Sequence, residues 1–452
     1  MTTFMLPREK GKTGYFMNEL DTAVNLLSEL IRIDTTNPPG NEEDAVLFLD
    51  GYLDNAGIPT EIFHVAPKRA NLLARIPGKN KGKPVVLLSH IDVVPAKAEE
   101  WQVPPFSGEV RDGFIYGMGA IDMKSQVICQ LLAFAQLQKN GVKPERDIIY
   151  LATCDEEVGG QHGVEYMLKN VDELRNASFV LSEGGCIVDE NGRLHAQVSV
   201  AEKKLSQFVI TARGTGGHGS MPHKDSANEK VLNAAHAIMS HQWPFKSTSI
   251  VSTYLSGILK GEKGKGFTFT ALKKMLSNRQ FKTFVEDNPV YNALLRNTVT
   301  PTILKGGEKV NVIPAESSIS FDARLLPTES HSNFFKKIEK LAGKDVKVVP
   351  IGTVKSNPLP SGYNTIYFRG IKKVINTLMG PIPVLPFLTT GATDLRYFRD
   401  LGIPAYGFFP ITLPNEELFR MHGKDERISI AALKQGLAGT YEIVKFLATE
   451  MK

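Results

Sequence analysis

Four short apolar runs constrain this chain most. NLLARIPG (71–78), PVVLLS (84–89), DIIYLATC (147–154) and ASFVLS (177–182) read as strands. Between them the spacing turns helical, over 17–32, over 122–140 with Gly141 closing the helix, and over 160–170. Pro38, Pro39 and Gly40 break the chain after the first of these helices. Strands that alternate with helices and are apolar along their length predict a mostly parallel sheet with helices on its faces.

The rhythm changes near residue 200. KLSQFVITARG (204–214) and NVIPAESSISFDARLLP (311–327) alternate apolar and polar residues, as half-exposed strands do, and 226–242 and 333–343 read as helices. Residues 243–310 hold a basic turn, GEKGKG (261–266), and two expected helices. The first rhythm then returns, with an apolar run near 383–388, a helix over 394–401, a strand over 403–409 and a helix over 430–448. The expected fold class is α/β. A mostly parallel-sheet domain built from 1–200 and 351–452 is interrupted by a smaller α+β domain at 201–350.

Composition narrows the partners. A net charge of +5 over 452 residues is too weak to imply nucleic acid or a membrane surface, and neither is expected as a partner. Three cysteines, Cys129, Cys154 and Cys186, cannot all pair, and no CxxC occurs, which favours a reducing compartment. The first residues lack the apolar core of a secretory signal, and no run approaches the roughly 18 apolar residues of a membrane span, so a cytoplasmic location is expected.

The chemistry gathers where strands end. PVVLLS runs into His90-Ile91-Asp92, DIIYLATC into Asp155-Glu156-Glu157, and ASFVLS into Glu183. In parallel α/β sheets ligands bind outside the carboxyl ends of the strands. Asp122 joins this set at the start of its helix, and His422 comes much later, in MHGKDE. One imidazole and several carboxylates on one rim describe a metal site, and the five candidates His90, Asp122, Glu157, Glu183 and His422 suit two metals sharing a carboxylate. Paired metals about 3.5–4 Å apart hold a water between them, lower its pKa and polarise the carbonyl under attack. Asp92 is expected to accept the other imidazole N–H of His90 and fix its tautomer. Glu156 is the spare carboxylate, able to take a proton from that water and pass it to a leaving amine. For each residue alone the ordinary reading is a surface or structural group; four such groups at three strand ends and one helix start are harder to reach by chance.

Taken together, SHIDVVP (89–95), YGMGAIDMK (116–124), CDEEVGG (154–160), SEGG (182–185), GHGSMP (217–222), NVIP (311–314) and MHGKDE (421–426) resemble the M20 metallopeptidase/aminoacylase family, in the family's order and over nearly the whole chain. The resemblance implies a co-catalytic site of two zinc ions, with cobalt or manganese left open. It assigns His90, Asp122 and Glu183 to one metal and Asp122, Glu157 and His422 to the other, with Asp122 bridging. It makes Glu156 the general acid/base and implies a cis peptide after Asp122. His218, in the smaller domain, is expected to stabilise an oxyanion across a dimer interface, which makes that domain a lid or dimerisation module. Asn311 and Arg324 match positions that bind the substrate carboxylate. TTGATD (389–394) precedes a helix whose free N–H groups would hold the same carboxylate, with Gly391 permitting close approach.

The implied activity is hydrolysis of an amide whose amine side carries a free carboxylate, in a small peptide or an N-acyl amino acid. A glutamate at 183 leans towards deacylation. EEWQVPPFSG (99–108) and the long stretch 243–310 resemble the carboxypeptidase S and N-fatty-acyl-amino-acid hydrolase branch. In that stretch Phe267, Phe269, Leu272, Leu276 and Phe281 are expected to pack internally rather than to cover an acyl group. The alternative reading is a non-catalytic metal-binding scaffold on the same fold. GTGGHG (214–219) satisfies a dinucleotide-binding pattern, but Ser220-Met221-Pro222 follows where a helix would have to open, so nucleotide binding is not expected. Cys154 and Cys186 read as packing residues, since neither has a histidine partner nearby in sequence.

Overall fold

The computed structural model describes residues 13–80, 82–190, 192–259, 269–352 and 357–451. The chain divides into two compact units: Met1–Val200 with Ser361–Phe387 and Thr393–Lys452, and Ala201–Pro360 with Leu388–Ala392.

The first unit is built on a mixed sheet. Its strands run in the order Thr60–Ala66, Arg69–Ile76, Ile148–Thr153, Val85–His90, Phe179–Ser182, Ala405–Gly407, Arg193–Glu202, Ile187–Glu190 and Thr412–Pro414, with Val384–Thr389 paired to Arg193–Glu202. The four strands from Ile148–Thr153 to Ala405–Gly407 are parallel, and antiparallel pairs flank them. Helices explain why these strands are apolar on both faces. On one face Val86, Leu88, Ile149, Leu151 and Val180 pack against Met167, Leu168, Leu395 and Phe398. Tyr150, on the opposite face, meets Phe134 of the helix Lys124–Lys139 with ring centroids 5.9 Å apart. Burying one such side chain contributes about 1.5–3 kcal/mol.

The second unit carries an antiparallel sheet in which Phe208–Arg213 and Glu316–Leu325 show the alternation their sequences predict. Phe208, Ile210, Ile319 and Phe321 turn inward onto Val231, Ile238, Phe334 and Ile338 of the helices Ala227–Ser240 and His331–Ala342. Where two helices were expected before residue 310, four occur among the described residues, at Ser249–Ile258, Phe269–Met275, Arg279–Asp287 and Pro289–Leu295, followed by the strand Thr298–Lys305. Asn278 and Asn288 explain part of the division: each accepts a backbone N–H with its side chain as an N-cap, and Pro289 suits the first helical position. Leu272 is buried, as expected for internal packing, while Phe267 and the turn 261–266 lie outside the described residues, as does the Phe269 side chain. No described helix is long and apolar enough to cross a membrane.

Candidate metal centre

The parallel strands put three chemical groups on one rim. Val85–His90 pairs with Ile148–Thr153 so that His90 lies beside Thr153, and with Phe179–Ser182 so that Leu87 lies beside Leu181. All three strands point the same way, so His90, the loop after Thr153 and Glu183 emerge at the same edge of the sheet. Asp122 arrives from the turn before the helix Lys124–Lys139, across a cis Asp122–Met123 peptide. His422 arrives on a loop, in the left-handed conformation (φ 59°).

These five side chains form two sets of donors. His90, Asp122 and Glu183 offer ligand atoms within 4.8 Å of one another, and so do Asp122, Glu157 and His422. Asp122 is common to both: its Oδ1 is 3.0 Å from His90 Nε2 and its Oδ2 is 3.1 Å from His422 Nε2. Glu183 Oε1 is 3.7 Å from His90 Nε2, and Glu157 Oε1 is 3.2 Å from His422 Nε2.

Charge makes the set a fit for cations. Burial works against the Asp122 carboxylate, but hydrogen bonds with His422 and His90 hold it below the usual range. Hydrogen bonds with Asp122 and Glu157 push the His422 imidazole up to about 11. Burial and the nearby Asp122 charge push Glu183 up to about 8. Burial, with the Glu183 charge next, pushes Glu156 well above its ordinary value. Three carboxylates and two imidazoles bring their donor atoms together around one shared carboxylate. Borderline divalent cations bind such N and O donors.

Asp92 meets the His90 ring with two oxygens: Nδ1 lies 3.0 Å from its main-chain oxygen and 3.5 Å from its carboxylate. The carboxylate also accepts the backbone N–H groups of Glu156 and Glu157, both at 3.1 Å, and the Asn37 amide at 2.9 Å. Asp92 therefore also orients the loop that carries Glu156 and Glu157.

In the second unit, His218 and Asn311 share a short ribbon. His218 pairs with Val312, and the Asn311 carbonyl accepts the Gly219 N–H at 2.8 Å. The Ser220 backbone N–H donates to His218 Nδ1 at 3.2 Å, and the Ser220 Oγ lies 2.7 Å from the same atom. With Nδ1 accepting, the neutral ring carries its proton on Nε2. Arg324 presents Nε and Nη2 to Asp322 at 2.8 and 3.0 Å, so Nη1 is the edge left to meet another carboxylate. The residues around Gly391 leave room for an added Cβ, whose nearest neighbour would be Thr389 Cγ2 at 4.0 Å. The helix expected to hold a carboxylate is corrected: Leu395–Asp400 has only 6 residues, and Thr393 already accepts the Leu395 and Arg396 N–H groups.

Glu426 ends MHGKDE (421–426), where no local pattern marks it as functional. It is fully buried, and its Oε1 accepts the N–H groups of Ile121 and Asp122 at 2.7 and 3.1 Å. The three cysteines are free and buried, and burial raises each thiol, which suits packing rather than nucleophilic attack.

Residues 86–445 match the model of peptidase family M20/M25/M40. The N-fatty-acyl-amino acid synthase/hydrolase PM20D1 of Xenopus tropicalis is 31% identical over 363 residues, covering 78% of this chain and 70% of that protein. Aminoacylase-1 of Sus scrofa is 28% identical over 442 residues, covering 94% and 95%. Among solved structures, an M20 family metallo-carboxypeptidase from Sulfolobus solfataricus superposes with a TM-score of 0.70 at 20% identity, covering 95% of this chain and 99% of that one.

Proposed function

Because this chain belongs to peptidase family M20/M25/M40, we propose that it is a two-metal hydrolase that cleaves the amide bond of N-acyl amino acids bearing a free carboxylate. The observation that carries this is the sharing of Asp122 by two donor triads, with Glu156 next in sequence to one of the ligands. The relatives named for N-acyl chemistry, and a glutamate rather than an aspartate at 183, put N-acyl amino acids ahead of peptides. No observation favours a non-catalytic scaffold.

His90, Asp122 and Glu183 would hold one divalent cation, and Asp122, Glu157 and His422 a second, zinc being the first choice. Such cations supply a polarised carbonyl and a water acidic enough to ionise near neutral pH. Glu156 accepts the proton on a carboxylate oxygen and returns it to the leaving nitrogen. His218 donates from Nε2 to the developing oxyanion, and Arg324 with Asn311 and the backbone at Gly391 receives the substrate carboxylate. The second unit acts as lid and dimerisation module in this reading. Its strand Thr298–Lys305 exposes Ile303 and Leu304, which a second copy would cover.

A hydrolysis screen of N-acyl amino acids against dipeptides, with zinc, cobalt or manganese added, tests the proposal. N-acyl substrates should turn over fastest, a chelator should abolish turnover, and methyl esters of the same substrates should be poor. Preference for dipeptides would move the enzyme to the peptidases, and equal rates for the esters would remove the carboxylate requirement.

A further inference from the structure

The loop that carries Glu156 and Glu157 is closed by side chains outside both donor triads. It leaves the strand Ile148–Thr153 at Cys154 and reaches the helix Val164–Asn170 past His162. Asn71, fully buried on the strand Arg69–Ile76, spans its two ends: Oδ1 accepts the Cys154 N–H and Nδ2 donates to the His162 carbonyl, both at 2.9 Å. Asp155 closes it from within, its Oδ2 accepting the His162 N–H at 2.9 Å. Asp155 is itself left-handed, with φ 77°, a conformation that non-glycine residues keep only where their surroundings enforce it.

One cation supplies that enforcement. Arg69 Nη2 lies 2.8 Å from Asp155 Oδ1, and the Arg69 Nε and Nη2 donate to Glu42 at 3.0 and 2.7 Å. Glu42, Arg69 and Asp155 are all buried. Gly40, with φ 87°, lies so close to the guanidinium that a Cβ there would fall 2.4 Å from Nε. Asn37 Nδ2 reaches both Asp92 Oδ2 at 2.9 Å and Asp155 Oδ1 at 3.4 Å, and Asp92 in turn holds the Glu156 and Glu157 N–H groups. A buried ion pair contributes little net stability over an apolar replacement. What it does supply is direction: the bidentate pairing with Glu42 fixes the guanidinium, which then meets Asp155 Oδ1 through Nη2 alone.

We propose that Arg69, oriented by Glu42, is a positioning residue for the reaction: acting through Asp155, it sets the turn that aims the Glu156 and Glu157 carboxylates. The proposal rests on the hydrolase reading above and adds residues that touch neither substrate nor metal.

The test uses the full chain with Asp155→Asn, Arg69→Lys and the triple variant Glu42→Gln/Arg69→Gln/Asp155→Asn. Each is followed by melting temperature, by kcat and KM, and by titration with cobalt, whose absorption reports each metal equivalent. Asp155→Asn is expected to lower kcat about 10–100-fold with KM nearly unchanged, and to weaken one metal equivalent about 10–100-fold while the other stays as in wild type. Arg69→Lys should follow the same pattern, and it carries the test if Asp155→Asn does not fold. In the triple variant the melting temperature should stay near that of wild type, because Glu42, Arg69 and Asp155 lose their charges together and none is left unpaired, while kcat and the weakened equivalent should not recover. Recovery of kcat together with stability, or unchanged kcat and cobalt binding in the single variants, overturns the proposal. If the wild type hydrolyses nothing, the function above fails, and the cobalt titration alone still decides whether Arg69 and Asp155 position Glu157.

Discussion

The two donor triads share Asp122 and little else. In the first, the His90 side chain is 2% exposed and Glu183 16%, and both stand at the ends of neighbouring parallel strands. In the second, Glu157 is 7% exposed but His422 is 45% exposed, and it sits on a loop rather than a strand. One triad is thus part of the sheet's architecture, while the other is completed by a residue that the core does not fix. The difference teaches that two sites joined by a single carboxylate need not be equally permanent. The first is placed by the fold, and the second depends on a loop staying in place.

The largest effect should come from the residue that erases the contrast. Asp122→Asn should lose both metal equivalents and bring hydrolysis below detection, as read by metal content after gel filtration and by initial rates. A variant that kept one full equivalent would mean that the triads are independent. Next is Glu156→Gln, which should lower kcat about 10²–10⁴-fold while both equivalents remain. Loss of metal in that variant would make Glu156 a ligand and redraw the second triad. The contrast itself is tested by His90→Ala against His422→Ala. Removing His90 strands buried carboxylates and should cost about 3 kcal/mol of stability in the metal-free chain. Removing His422 should cost less, about 1–2 kcal/mol, because its own imidazole is 45% exposed even though its partners Asp122 and Glu157 are largely buried. Each should lose one metal equivalent, and equal losses of stability in urea unfolding would break the comparison. The smallest effect is expected of Glu426→Gln, which leaves the Ile121 and Asp122 N–H groups an acceptor but removes its charge. Metal affinity should fall about tenfold, with kcat at saturating metal nearly unchanged.

How much of this could be read in the sequence depends on whether a residue's role coincides with its place in a local pattern. His90 and Glu183 do coincide: each follows an apolar run, and the end of a parallel strand is where ligands gather. His422 has no such pattern, since its backbone is left-handed and its partners Asp122 and Glu157 are remote in sequence; only its motif marked it. The contact of Asp92 with His90 was legible from their spacing, but its hold on the Glu156 and Glu157 N–H groups was not, because those groups lie more than sixty residues away. Arg69 and Asn71 are the two buried polar residues of a strand whose third polar residue, Arg75, is only half-buried. Two buried polar side chains need buried partners, and the sequence alone does not name those partners. The alternating strands of the second unit were legible because one face meets helices and the other does not. The helices between 249 and 295 were undercounted because Asn278 and Asn288 divide an apolar stretch by capping, which periodicity alone does not register.

The short strand Ala405–Gly407 lies between Phe179–Ser182 and Arg193–Glu202, in the interior of the large sheet. Both neighbours leave the ribosome long before it, and the whole second unit is synthesised in the interval. A growing chain therefore carries an open slot with two unpaired strand margins facing each other, the kind of surface that invites association with other chains. The slot fills only when residues 405–407 have emerged, and the stretch that follows them delivers His422. Manufacture of the scaffold and completion of the second donor triad are thus timed by the same late segment, so a nonsense codon shortly before residue 405 would leave an adhesive, half-built sheet rather than a smaller enzyme.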